Sequence, residues 1–391
     1  MTAVDGQRHA QAKDNARGFI LPLTLWAMAA AGLVVVAVNE WVNRSVENAR
    51  ALRESMEMDL ALQDIENEIL FAWGTRPVSY RGIEVGRFMD KIDRTDPMSV
   101  MTADFRTDQF IRLDGRPYVM ESNPDYIVRI YDTRGMVNLN VPTLPSLRRL
   151  LGLFQLDEST RNSLVDALQD YTDRDDLTRL AGAEAREYER LGRRPPANST
   201  LMTPMEAQYV LGWDKVPELW QRDLEAPFLT TCTDTGLNPN TASREALLSN
   251  FPDMTEDDVA EVLKKREERP FRNARELSAA GNTPLREDPF FFSFAPGRCF
   301  IIEVTRRDNA FRTRFSLTIE GFNAKTRPWH IDYVLRSPPR SQAENLEPLE
   351  QEVFPAPDTM DANQRRRPED GDAGPQGFMD PQQNVNAPPN L

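Results

Sequence analysis

From Phe19 to Val38 the chain reads FILPLTLWAMAAAGLVVVAV, with no charged side chain. As a helix rising about 1.5 Å per residue, such a run spans roughly the 30 Å hydrocarbon core of a bilayer. Arg8, Lys13 and Arg17 precede it, and Glu40 and Glu47 follow. The basic flank is expected to stay cytoplasmic, with the remainder outside the inner membrane as the globular, periplasmic part of a single-pass protein. A secretory signal peptide would need a small-x-small site after the apolar run, and Val38-Asn39-Glu40-Trp41 is a poor one. The small residue sits instead in front of the run, as Arg17-Gly18-Phe19.

The helix is expected to continue past the membrane. After Asn43 there is no Gly or Pro until Gly74 and Pro77, and Val46, Ala49, Leu52, Met56, Leu62, Ile65, Ile69 and Trp73 recur at helical steps between charges. A leader over 1–18 and a spine helix over 19–77, apolar first and amphipathic second, follow from this pattern.

The rest divides by pattern. Residues 78–141 carry short β-branched and aromatic runs, Ile83–Met89 and Tyr126–Tyr131, bounded by Asp, Gly and Pro. Residues 295–336 carry three more, Cys299–Thr305, Arg312–Phe322 and Trp329–Leu335. Between them, 142–294 reads as helices: Pro145–Phe154, Glu158–Arg174, Gly182–Leu191, Pro204–Leu211, Ala242–Asn250, Glu256–Glu268 and Ala274–Ala280. The predicted class is α+β, a long N-terminal helix packed on a small antiparallel sheet that is interrupted by a large all-α insertion. Residues 337–391 are Pro-rich and acidic with few large apolar side chains, and are expected to be disordered.

Composition narrows the chemistry. A net charge of −14 repels nucleic acid and suits calcium, whose hard oxygen ligands are carboxylates. Two cysteines, Cys232 and Cys299, make neither a disulfide framework nor a zinc cluster; they are either a pair or two buried thiols. His330, in a strand-like run, reads as packed rather than catalytic.

The short leader, Gly18, Phe19 and the long apolar helix resemble a type IV prepilin signal. In that family a peptidase cuts after the Gly and methylates the new N-terminal Phe, which here implies Gly18 and Phe19. The family's Glu at the fifth mature position is Leu23 here, behind Pro22. That Glu neutralises the terminal amine of a neighbouring subunit, a buried charge that needs a partner. A subunit lacking it can still occupy the filament tip, where no earlier neighbour stands.

Three further motifs, taken with the N-terminus, resemble the K minor pseudopilin of type II secretion systems. The first is Asp132-x-x-Gly135-x-x-Asn138-x-Asn140. The second runs Asp170-Tyr171-Thr-Asp173-Arg-Asp175-Asp176, then Gly182-Ala-Glu184 with Tyr188, then Pro196-Ala-Asn198, with Tyr171 where the family has Trp. The third is Asn238-Pro-Asn240-Thr241-Ala242 ahead of a helical hairpin, followed by Arg266 and Pro270-Phe271. The resemblance covers about 18–335. It implies a non-enzymatic component of a secretion pseudopilus that caps or initiates the tip with I-type and J-type minor pseudopilins and other pseudopilins, after processing by prepilin peptidase.

The acidic run has its own physics. Asp166, Asp170 and Asp173 share one helix face at i, i+4 and i+7, where like charges repel. Asp175, Asp176 and Glu184 follow in a loop able to gather oxygens around a cation. The plain alternative is a solvated acidic face. Because K-type pseudopilins bind calcium in this insertion, the resemblance implies structural calcium held by Asp173, Asp175 and Glu184, joined by Asp170 and Asn198. The hairpin over 238–277 invites a DNA-binding reading, but its turn, Phe251–Asp258, has no Gly and several acids that repel phosphate. Lys264, Lys265 and Arg266 beyond it read as a solvated face. Two rival functions stand beside the pseudopilin: a minor pilin of a type IV pilus or DNA-uptake filament, and a membrane-tethered metal-dependent enzyme. The latter needs an open metal position and a base, and no residue is assigned to either.

Overall fold

In a computed structural model of the chain, the described residues are 20–85, 110–283, 291–307, 312–320, 327–337 and 352–354. Gly18 and Phe19, and the end of the strand expected over Ile83–Met89, lie outside them. The chain divides into two units, Met1–Asn67 and Glu68–Leu391.

Helix α1 runs without a break from Ile20 to Thr75, 56 residues. Pro22 falls in its first turn, where a missing N–H costs nothing, and Pro77 disfavours helical geometry just before it. The segment from Leu21 is long and apolar enough to cross a membrane. In the first unit, Trp26, Leu33 and Val36 are exposed, as suits a surface that meets lipid.

The second unit begins with the last turns of α1. It contains a three-stranded antiparallel sheet of β1 (Val78–Ser79), β2 (Gly82–Glu84) and β3 (Phe110–Ile111). Its main sheet uses β4 (Asp114–Met120), β5 (Asn123–Asp132), β8 (Cys299–Arg306), β9 (Arg312–Ile319), β10 (Trp329–Ser337) and β11 (Glu352–Val353), in the order β10-β9-β8-β5-β4-β11. All neighbours are antiparallel except β11, which lies parallel to β4. Two short strands, β6 (Val137–Asn138) and β7 (Leu229–Thr230), pair in parallel and bring the start and middle of the insertion together. The protein is α+β.

Register makes the two faces of the main sheet unlike. Ile130, Ile302 and Phe315 are cross-strand partners, as are Phe300 and Leu317. Against this apolar face α1 places Ile69, Leu70 and Trp73; the Trp73 and Phe300 rings lie 4.3 Å apart. The alternate positions carry Glu303, Arg312 and Arg314, all buried. Arg314 donates to Glu303 (2.9 Å) and to the carbonyl of Asp223 (3.0 Å). This second face therefore receives the insertion through the end of the helix carrying Asp223.

The insertion's helices are α2 (Leu144–Leu153), α3 (Glu158–Thr172), α4 (Ala185–Arg190), α5 (Pro217–Glu225), α6 (Arg244–Asn250), α7 (Glu256–Glu268) and α8 (Ala274–Ala280). Leu147, Leu150, Leu164, Leu168, Trp213 and Leu247 belong to its common core. Sidechain caps define several starts: Asp157 for α3, Ser243 for α6, Thr255 for α7 and Asn273 for α8.

Several expectations need correction. Pro204–Tyr209 is a 3-10 turn, not an α-helix. Strand β4 and helix α5 were not foreseen: Gly115 and Pro117 break the alternation of the first, and the second is only nine residues long. Pro117 is tolerated at an irregularity in the β4–β5 register. His330 is about half exposed rather than packed, and its Nε2 lies 2.9 Å from Asp332. Within the tail expected to be disordered, Glu352–Val353 adds a strand, and Phe354 is fully buried with its ring edge-on to Tyr118.

Candidate functional site

The three sequence motifs meet. Asp132, at the end of β5 and 1% exposed, accepts from the backbone N–H groups of Arg134 (3.1 Å) and Gly297 (3.0 Å), the Asn238 amide (2.8 Å) and the Thr241 hydroxyl (2.9 Å). Burial pushes its carboxyl upward, and these four donors oppose that push. Gly135 is required by closeness: a Cβ there would stand 2.3 Å from the Thr241 carbonyl oxygen. Asn140 spans Leu201 and Thr231, donating to both carbonyls and accepting from the Leu201 N–H.

Asn240 does the same on the other side. Its amide nitrogen reaches the carbonyls of Phe271 (2.9 Å), Phe294 (3.1 Å) and Tyr80 (3.2 Å), while its oxygen accepts from the Phe271 N–H (2.7 Å). Arg266 donates to the carbonyls of Pro239 and Ala242, so it is a brace within the hairpin and not part of a solvated face. Cys232 and Cys299 are disulfide-bonded and tie the segment after β7 to the start of β8. The motif residues are thus fasteners that hold the insertion to the sheet.

The acidic loop is built differently. Asp170, on the last turn of α3, is fully buried and accepts from the Arg179 backbone N–H (3.1 Å) and from Arg179 Nη1 (2.7 Å). The same Nη1 lies 2.5 Å from Asp173 Oδ2, and Asp173 caps the helix C-terminus. Asp166 accepts from the Ala181 N–H, drawing the returning loop against α3. Gly182 lets that loop approach, since a Cβ there would fall 2.0 Å from Asp170 Oδ2. Asp175 accepts from the Leu177 N–H (2.9 Å), and the Asn198 amide donates to Asp176 (3.0 Å). Asn198 takes a left-handed backbone, φ 47°, which short polar side chains tolerate.

Four buried oxygens in this loop have no hydrogen-bond partner: both of Glu184, Oδ1 of Asp173 and Oδ1 of Asn198. Glu184, 4% exposed, heads α4 in the manner of a capping box. Glu187 reaches back to its backbone N–H, but the Glu184 carboxylate makes no bond of normal geometry itself. Burial, then the charges of Asp170, Asp173, Asp176 and Asp175, push the Glu184 carboxyl up to about 7. Among the described residues, the one set of three acidic or sulfur side chains with ligand atoms mutually within 4.8 Å is Cys232, Asp234 and Cys299. Its sulfurs are consumed by the disulfide, so it is no metal site. No three carboxylates of the acidic loop come that close to one another, and the Arg179 guanidinium lies between Asp170 and Asp173.

Two family models, both described as type II secretion system (T2SS), protein K, match this chain, over residues 132–223 and 237–288. Over those residues the chain is similar to protein K of type II secretion systems. The matched segments contain the three interlocked motifs, and the match supports the coarse role of a minor pseudopilin. Among solved structures, a chain of the GspK-GspI-GspJ complex from the type 2 secretion system of enterotoxigenic Escherichia coli shows 16% identity. It aligns over 54% of this chain and 79% of that one, with a TM-score of 0.39. Comparison with curated proteins returns no match.

Of the five residues expected to hold calcium, Asp170, Asp173, Asp175 and Glu184 lie in one loop system around the end of α3, and Asn198 reaches it through Asp176. The oxygens of Asp170 accept from the Arg179 backbone N–H and from its Nη1. Arg179 itself was missed: a cation in an acidic run reads from sequence as one more surface charge.

Proposed function

We propose that this chain is a member of the protein K family, anchored in the inner membrane by α1, with its second unit in the periplasm, and works at the tip of the secretion pseudopilus. In this reading prepilin peptidase cuts between Gly18 and Phe19 and methylates Phe19. The mature chain then joins I-type and J-type minor pseudopilins to begin or cap assembly and so supports export across the outer membrane. The observation that carries the reading is the family match over the interlocked motifs, in a chain whose α1 is apolar enough to cross a membrane. Leu23, where filament subunits carry Glu, supports the tip, because the charge that would accept an earlier neighbour's amine is missing.

Calcium fits the acidic loop. Four buried unpartnered oxygens, all hard donors, gather where several carboxylates raise the cost of ionising Glu184. Asp173, Glu184 and Asn198 would hold the ion, with Asp170 and Asp175 beside them. The bound ion would supply positive charge that cross-links the end of α3 to α4, a structural role.

The test is the mass of the mature protein recovered from membranes, together with export in a strain carrying Gly18→Ala. The reading expects a chain that starts at methylated Phe19, and an uncleaved, secretion-deficient variant. Normal processing and export by Gly18→Ala would overturn it.

A further inference from the structure

Calcium needs six to eight oxygen ligands. The loop offers four buried oxygens free of hydrogen bonds: Glu184 Oε1 and Oε2, Asp173 Oδ1 and Asn198 Oδ1. Asp175 and Asp176 each commit one oxygen to a loop donor. Two further carboxylate oxygens of the cluster, Asp170 Oδ1 and Asp173 Oδ2, are held by a single nitrogen of Arg179, at 2.7 and 2.5 Å. Asp173 is therefore split, with one oxygen on the guanidinium and the other without a partner.

We infer that Arg179 is a built-in cation that holds the metal-free loop together and is displaced from Asp170 and Asp173 when a divalent cation binds. This rests on the reading of the acidic loop as a calcium site.

The geometry permits the exchange. The Arg179 side chain is about one-third exposed, so the guanidinium can swing into water, whereas Asp170 is fully buried and cannot leave. Without a cation, Asp170 would be an uncompensated buried charge, which is strongly unfavourable. Arg179 removes that cost but brings one charge where calcium brings two, and it leaves Glu184 unpartnered. Its backbone N–H also donates to Asp170, so the loop keeps one tether to α3 while the side chain moves. The residue then lowers the apparent affinity for the ion, because part of the binding free energy goes into breaking its two contacts. The resting protein gains a loop that stays folded when calcium is scarce.

The test uses the full chain in detergent and calcium chloride as the probe. Calcium affinity is measured by titration calorimetry for the parent, Arg179→Gln and Arg174→Gln, with thermal unfolding of each in chelator. Arg174 is an exposed neighbour of Asp173, so its variant makes the same change in net charge. The inference expects Arg179→Gln to unfold earlier in chelator yet to bind calcium on the order of tenfold more tightly, an increase of ~1.4 kcal/mol. Arg174→Gln should bind within about twofold of the parent. If Arg179→Gln binds no more tightly than Arg174→Gln while the parent binds calcium, Arg179 is a static brace and the inference is overturned. If the parent and both variants show no binding at millimolar calcium, the calcium reading falls and takes this inference with it. Should Arg179→Gln fail to fold, Arg179→Met serves: it keeps an apolar stem but carries neither the charge nor a donor for Asp170 and Asp173, and unchanged affinity in that variant overturns the inference as well.

Discussion

Glu184→Gln isolates the electrostatics of the acidic loop with almost no change of shape. In the metal-free protein the Glu184 carboxyl is pushed from its ordinary 4.5 up to about 7, by burial first and then by four neighbouring aspartates. At ~1.36 kcal/mol per pKa unit, this shift sets a ceiling of about 3 kcal/mol on the cost of ionising it in the folded state. Asp175 and Asp176 are exposed and screened, which brings the expected cost down to about 1–2 kcal/mol. A carboxyl raised on folding contributes stability that is fully present below its unfolded value, near 4.5, and is lost as pH rises through about 7. In chelator, the parent should therefore lose stability between pH 5 and pH 8 relative to Glu184→Gln. The two should be nearly equal at pH 5, and the variant more stable at pH 8. Millimolar calcium should reverse the order, because the neutral amide offers the ion one oxygen and no charge where the carboxylate offers two oxygens and a negative charge. Urea unfolding of both proteins, in chelator and in calcium at the two pH values, reads all four comparisons. The reasoning fails if the variant tracks the parent across pH in chelator, or if calcium stabilises both equally.

Other fasteners can be tested by the same unfolding assay. Asn240→Ala strips partners from the Phe271 N–H and from three carbonyls, and should cost about 2–4 kcal/mol; a loss within error of zero would mean that water replaces the amide. Arg314→Met leaves Glu303 and Asp223 buried without their main counter-charge and should cost about 3 kcal/mol or more, whereas a stable variant would show that these acids take up protons instead. Replacing both Cys232 and Cys299 by Ser opens a crosslink spanning 67 residues, for which chain entropy sets an expected loss of about 4 kcal/mol. An unchanged midpoint would place the restraint in the packed sheet rather than in the bond.

Much of this protein was legible without coordinates because its information is local. An uncharged run of bilayer length, and apolar residues at helical steps with no breaker before Gly74, determine a long spine by themselves. Helices α7 and α8 lie at their expected bounds because Thr255 and Asn273 cap them within a turn of the first apolar residue. The motifs could be recognised, but their work could not, because it consists of contacts between distant segments. Asp132 meets Asn238 and Thr241 across more than a hundred residues, and Asn240 meets Phe271 and Phe294. Tertiary structure alone decided that Cys232 and Cys299 pair, that Phe354 is buried beside β4, and that Arg266 is a brace. It also decided the character of the acidic loop. Sequence places carboxylates along a helix and a loop, but which oxygens are already paired depends on how the chain returns past α3. That return, made possible by Gly182 and held by Asp166, sets Arg179 between two aspartates and leaves Glu184 buried without a partner.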